Sequence, residues 1–179
     1  MKTAYSMMLA LALLVALPGT ALAQTESESS STVMESMKGL HEIASGYVMQ
    51  TAEMLDEEMY AYRPTEEVRS AGEILAHVAG AQFTFCSAAA GEESPSSENY
   101  EETATTKDDI VSALQSSSEY CGSVYDGMTD EAGAEMRDLF GRQMAATAVL
   151  AFNSVHVYEH YGNLVTYMRM NDIVPPSSQ

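Results

Sequence analysis

The sequence predicts an all-α protein, a four-helix bundle in up-down-down-up order with a long crossover between helices 2 and 3. Three observations lead there. Four stretches carry apolar residues at the three-and-four spacing of a helix face. No segment of any length alternates with the period of a strand. A long polar stretch, 91-GEESPSSENYEETATT-106, separates the second helix from the third.

Helix 1 is expected over about 32–60, with Val33, Met37, Leu40, Ala44, Tyr47, Thr51 and Met54 inward. It ends before Pro64, whose ring pushes Arg63 out of the helical region. Ser70-Ala71-Gly72-Glu73 is a capping box that opens helix 2, about 71–90. Its inward side is Ile74, Leu75, Val78, Ala81, Gln82 and Phe85, and Gly91 closes it. Helix 3, about 107–128, carries Ile110, Leu114, Ser117, Cys121 and Val124; Asp108 and Asp109 suit its positive N-terminal end. Residues 129–141 read as a connection with a short helical turn over 130–138. Helix 4, about 142–170, is the longest and most apolar, and Pro175-Pro176 ends the ordered part.

The polar stretch decides the topology. Extended, it reaches about 50 Å, against about 30 Å for helix 2. It can therefore run back along the bundle and start helix 3 parallel to helix 2. Cys86 and Cys121 then stand at similar heights, which an antiparallel pair would not allow. A Cys86–Cys121 disulfide fits that arrangement; two buried free thiols are the alternative. There is no CxxC or CxxCH pattern, so no redox motif and no covalent haem site.

The first residues read as a signal peptide over 1–23. Lys2 precedes an apolar run from Met7 to Leu17, and Ala21-Leu22-Ala23 has the small-x-small cleavage pattern. The run is too short for a confident membrane span. No stable membrane anchor is expected after cleavage, and the mature chain is expected to be exported, periplasmic or secreted. Residues 24–32 form a flexible polar leader, and 33–176 the bundle. With 8 basic and 26 acidic residues the chain carries −18. Such a charge repels phosphate backbones and argues against a nucleic-acid partner.

Histidine is scarce, with four in the chain. His156 and His160 lie one turn apart on the seam of helix 4, in a stripe with Val149, Asn153, Asn163 and Tyr167. Two imidazoles so placed can share one ion, but HxxxH alone equally describes two packed histidines. His77 is the third member. If helices 2 and 4 are antiparallel, it stands near the level of the pair. Three neutral imidazoles leave coordination positions open, as in catalytic sites. His41, beside Leu40 and one step off the helix 1 stripe, reads as a boundary or surface residue. Asn153 and Asn163 could orient ligands or satisfy one another in the core. Tyr47 could face a substrate or simply pack. Glu159 points away from His160, toward solvent.

Together, 69-RSAGEILAHVAGAQFTFC-86 and 156-HVYEHYGNLVTYMRMNDIVPPS-177 resemble the DinB/YfiT-like superfamily. The resemblance spans nearly all of the mature chain. It implies the same up-down-down-up bundle and a divalent metal held by His77, His156 and His160; three imidazoles suit zinc or nickel foremost, and also iron, copper or manganese. It also implies metal-dependent chemistry on a small molecule, of a thiol-linked transferase or isomerase type, and pairing into a homodimer; an open metal site suits a hydrolase as well. The alternative is a non-catalytic binder of metal or of a small ligand. Asn171-Asp172 stands where similar proteins have glycine, which puts that turn in question.

Overall fold

The computed structural model describes residues 32–179, so the expected signal peptide and most of the leader lie outside the described residues. Four long helices form the bundle: α1 (Thr32–Met54), α3 (Ala71–Ala90), α5 (Lys107–Gly127) and α7 (Ala146–Met170). Three short helices connect them: α2 (Glu57–Ala61), α4 (Tyr100–Thr103) and α6 (Asp130–Ala134). A hairpin of β1 (Met136–Leu139) and β2 (Arg142–Ala145) precedes α7, and a 3-10 turn over Pro176–Ser178 follows it.

Pairs of contacting residues give the directions. On α3 and α5, Gln82 bonds Ser117 and Cys86 is joined to Cys121, so the two run parallel. On α1 and α7, His41 lies against Asn153 and Tyr47 against Tyr161, also parallel. Lys38 of α1 meets Asp126 of α5, while Lys107 reaches the carbonyls of Glu53 and Leu55, so that pair is antiparallel. The order is up-down-down-up, as expected. The Cys86–Cys121 disulfide is present, with a Cα–Cα separation of 5.4 Å that is ordinary for such a bond.

Capping chemistry sets the ends of α3. Ser70 Oγ accepts from the Glu73 amide at 3.2 Å, and the Ser70 amide donates to Glu73 Oε2 at 2.8 Å. Gly91 closes the helix at φ 74°, the left-handed region that favours glycine. A Cβ there would also meet the Arg137 guanidinium at 2.9 Å. Thr106 caps α5 on the Asp109 amide at 3.2 Å.

Three expectations need correction. Helix 1 does not run to 60. The Asp56 carboxylate accepts from the Met59 amide at 2.9 Å, so the chain caps a new helix, α2, instead of continuing the old one. The buried face of α1 is also turned by one residue: Met34, His41, Val48 and Leu55 face inward at seven-residue steps, while Val33, Leu40 and Met54 are exposed. Finally, residues 142–145 are strand, not helix. Phe140 and Gly141 both have positive φ, 53° and 77°, as a two-residue hairpin loop of type I′ requires. At the other end, Asp172 takes the left-handed conformation itself, at φ 58°, so the turn is made without glycine. The chain beyond Pro175 stays packed: Tyr161 donates to Ser177 Oγ at 2.8 Å and accepts from its amide at 2.9 Å.

The core falls into two parts. One packs Leu75, Leu114 and Leu164 among its neighbours; the other packs Phe85, the disulfide, Val149 and Leu150. A polar layer lies between them. Gln82 donates to Ser117 Oγ at 3.0 Å and accepts from Ser45 at 3.4 Å, and all four long helices contribute to the layer. Reducing the disulfide, which closes a separation of 35 residues, is expected to cost about 3–4 kcal/mol on the chain-entropy model. Urea unfolding with and without reductant measures it; equal midpoints would show that the bond adds nothing.

Candidate metal centre

The antiparallel packing of α3 on α7 brings His77 to the level of His156 and His160. His156 Nε2 lies 3.2 Å from His77 Nε2 and 3.1 Å from His160 Nε2. The three residues can each offer a ligand atom such that all lie within 4.8 Å of one another. His160 is buried and the other two are half-buried. Nitrogens this close repel if each presents only a lone pair; a proton or a cation between them relieves it. For comparison, zinc–nitrogen bonds of about 2.0–2.1 Å place tetrahedral ligand nitrogens about 3.3–3.4 Å apart. Two of the three nitrogen pairs therefore stand close to the separation that a small divalent ion requires.

The outer nitrogens are set by their neighbours. His77 Nδ1 donates to Glu101 Oε1 at 2.8 Å, and in the neutral ring this places the proton on Nδ1 and turns the Nε2 lone pair toward the other two rings. Glu101 is itself held by Arg69, whose Nε and Nη2 donate to Oε2 at 2.8 Å and Oε1 at 3.2 Å. Burial alone would raise the Glu101 carboxyl; the hydrogen bonds from Arg69 and His77 outweigh it and hold the group below the usual carboxylate range. The Asn163 amide lies 3.5 Å from His160 Nδ1. His156 Nδ1 is buried and has no hydrogen-bond partner among the described residues. Burial lowers the His156 pKa to about 4, with the other two imidazoles adding to the effect. Burial also lowers that of His160. Both are neutral at pH 7 and free to act as ligands.

Two clefts open on the triad. One of about 450 Å³ is lined by His77, His156, Phe85, Phe152 and Tyr100 among others. The second, about 730 Å³, is lined by His160, Asn163, Arg69 and Tyr167. So the structure brings His77, His156 and His160 together and sets Asn163 beside them. Glu159 is exposed, as expected. Tyr47 stacks on Tyr161 at 5.0 Å. Asn153 is fully buried, its Nδ2 3.3 Å from His41 Nδ1. His41 is not a surface residue: it is 2 % exposed and stacked on Tyr125 at 4.6 Å. A stripe drawn by apolar weight leaves it outside, because Leu40 is the more apolar neighbour; Leu40 is in fact 54 % exposed.

Sequence reasoning missed Glu101 and Arg69. Glu101 sits on α4, within the polar stretch read as a mere link. Its one sequence signal is a carboxylate in the only segment that has to pass back along α3.

A four-helix bundle with three converging histidines on α3 and α7 defines a class. The DinB superfamily profile matches residues 41–164, more than half of the chain, and the protein belongs to that superfamily. The chain is similar to the uncharacterized protein YjoA of Bacillus subtilis, 29% identical over 124 residues, covering 67% of this chain and 79% of that one. Its fold resembles the crystal structure of YjoA, with a TM-score of 0.65 at 23% identity over 80% of this chain and 97% of that one. It also resembles a DinB-like protein from Bacillus cereus, TM-score 0.69 at 17% identity over 79% and 95%. A mycothiol-dependent maleylpyruvate isomerase shares the fold at TM-score 0.61 and 19% identity, over 73% of this chain and 60% of that one.

His41 generates a test. Burial lowers its pKa from 6.5 to about 4. The unfolded chain takes up the proton first, so this residue's contribution is complete above pH 6.5 and is lost as the pH falls toward 4. In His41→Gln, the loss of unfolding free energy between pH 7 and pH 4 should shrink by up to about 3 kcal/mol. Urea titrations at the two pH values measure it, and an unchanged loss would show that His41 is not held neutral.

Proposed function

We propose that the protein holds one divalent metal ion on His77, His156 and His160 and uses it in chemistry on a small molecule. The observation that carries this reading is the convergence of the three imidazoles: His156 Nε2 lies 3.2 Å from His77 Nε2 and 3.1 Å from His160 Nε2, and a ligand atom of each lies within 4.8 Å of the others. Bound there, a zinc- or nickel-type ion would supply a Lewis acid with coordination positions open for water or a thiolate. The residues of the chain do the rest. Glu101 orients His77, and the salt bridge from Arg69 fixes Glu101. Burial keeps His156 and His160 unprotonated. Phe85 and Phe152 give the approach to His156 an apolar wall. Thiol-linked group transfer or isomerisation is the reaction type supported by the isomerase of similar fold, which is mycothiol-dependent.

The same reading has the chain exported, and the Cys86–Cys121 bond fits an oxidising compartment. Among the described residues no helix is long and apolar enough to cross a membrane. Pairing into a homodimer belongs to the proposal too. Exposed Val33, Leu40 and Ile43 on α1 support it, as do Val155 and Tyr158 on α7.

Elemental analysis of untagged protein, purified without chelator, tests the metal. About one equivalent of one divalent ion is expected. The His156→Ala/His160→Ala double variant should lose it while its helical circular-dichroism signal persists. If the wild type neither holds nor takes up metal, the reading fails. Glu101→Gln should weaken metal affinity about 10- to 100-fold, because the amide orients the imidazole less strongly than the carboxylate. Competition against a chromogenic chelator reads that change; unaltered affinity would remove Glu101 from the site's machinery.

A further inference from the structure

The 450 Å³ cleft beside His77 and His156 has a composition of its own. The chain has four phenylalanines, and three of them, Phe85, Phe140 and Phe152, line it. The fourth, Phe83, stacks on Tyr100, which forms part of the same lining. Phe85 is the centre of the aromatic wall: Phe152, His156 and Phe140 pack on it edge-to-face at 5.2, 5.1 and 6.0 Å. The charged residues in the lining other than histidine are Glu98 and Glu101; neither lysine nor arginine is among them. Glu101 is occupied by His77 and Arg69, whereas Glu98 is exposed.

Phe140 is the anomaly. It is 75 % exposed and sits in the left-handed region at φ 53°. A bulky residue rarely adopts that conformation. In a two-residue hairpin loop of this type the favoured sequence is Asn-Gly, and here it is Phe-Gly. The turn gains nothing from the ring. What the ring does is extend the aromatic wall over the mouth of the cleft. Backbone strain held in place by the fold is a recurrent mark of ligand clamps.

We propose that this cleft is a subsite for a small aromatic molecule that carries no negative charge, and that Phe140 is its specificity-determining clamp. The volume suits one such molecule. Its faces pack on Phe85, Phe140 and Phe152. An anionic group would meet the exposed Glu98 carboxylate with no lysine or arginine in the lining to offset it, whereas a neutral or cationic group would not be repelled. The inference deepens the proposed function, because the ligand lies beside the histidines, but the subsite is defined without the metal.

The test is therefore run on protein stripped of metal with chelator, then dialysed. Benzylamine, benzyl alcohol and benzoate offer one ring with three charges. Each is titrated into the 15N-labelled protein, and amide shifts are followed at Gly80, Phe85 and Gly141. The amine and the alcohol are expected to shift these signals, with benzoate at least ten-fold weaker. Phe140→Asn restores the favoured turn residue, so its melting midpoint should equal or exceed that of the wild type while affinity for benzyl alcohol falls about ten-fold. Benzoate binding as tightly as benzyl alcohol would overturn the charge argument. An absence of shifts with all three probes, or unchanged affinity in Phe140→Asn, would overturn the subsite. Since no metal is present, either failure is separate from a failure of metal binding.

Discussion

The parallel packing of α3 and α5 is the constraint from which the rest of the molecule follows. Two consecutive helices that run the same way cannot be joined by a tight turn. The chain must leave α3 at Gly91 and travel back to start α5 at Lys107, close to where α3 began. That return path lies along the outer side of α3 and passes His77 at mid-height. It delivers Glu101 to His77 Nδ1 and Tyr100 to Phe83. An antiparallel α3–α5 pair with a short loop would leave His77 without its carboxylate. The Cys86–Cys121 disulfide holds the register of the parallel pair that this return path has to span.

The polar layer across the bundle serves a related purpose. Gln82, Ser117, His41 and Asn153 are all essentially buried and come from four different helices. Such groups cost free energy if they slide out of register, because a donor or acceptor is then orphaned in the core. An all-apolar seam would tolerate sliding by a turn, and a shift of one turn is about 5.4 Å. That would be enough to separate His77 from His156. The layer lies a turn or so from the histidines on both α3 and α7, which is where restraint on sliding matters most. Register specification is a role that buried polar groups do perform in helical assemblies.

What the sequence made legible was whatever repeats at helical spacing. The four long helices, the capping box at Ser70 and the one-turn pairing of His156 with His160 are all local patterns. The convergence of His77 followed once helix lengths and direction were set. The rotated face of α1 was hidden because its buried stripe uses His41, Thr51 and two alanines, while Val33, Leu40 and Met54 outside it are more apolar. Apolar weight and burial disagree on that helix, and only packing against α5 and α7 decides. The hairpin was hidden because four-residue strands are too short to show a period, and Phe140-Gly141 is not a favoured turn pair. Glu101 was hidden for a different reason. Its partner stands 24 residues away on another element, and no periodic pattern relates a loop residue to a helix.

The role of Glu101 follows from how fully it is occupied. Oε1 accepts from His77 and Arg69, and Oε2 from Arg69. A carboxylate engaged on both oxygens orients the imidazole and does not compete with it as a ligand. On the proposed reading the ion would then be held by three neutral rings, with no charge donated by the protein to it directly. A bound cation keeps its full charge in such a set, and so polarises water or a thiol more strongly than it would beside a carboxylate ligand. Arg69 makes this possible. Without it Glu101 would be an unpaired, partly buried charge next to the site, free to turn toward the cation. With it, the negative charge is neutralised by a residue that stands at the entry of the second cleft, next to His160 and Asn163. The two clefts therefore differ in character, one aromatic and flanked by acids, the other polar with a guanidinium at its edge. A small ion at the triad would be open to two unlike reactants from two sides.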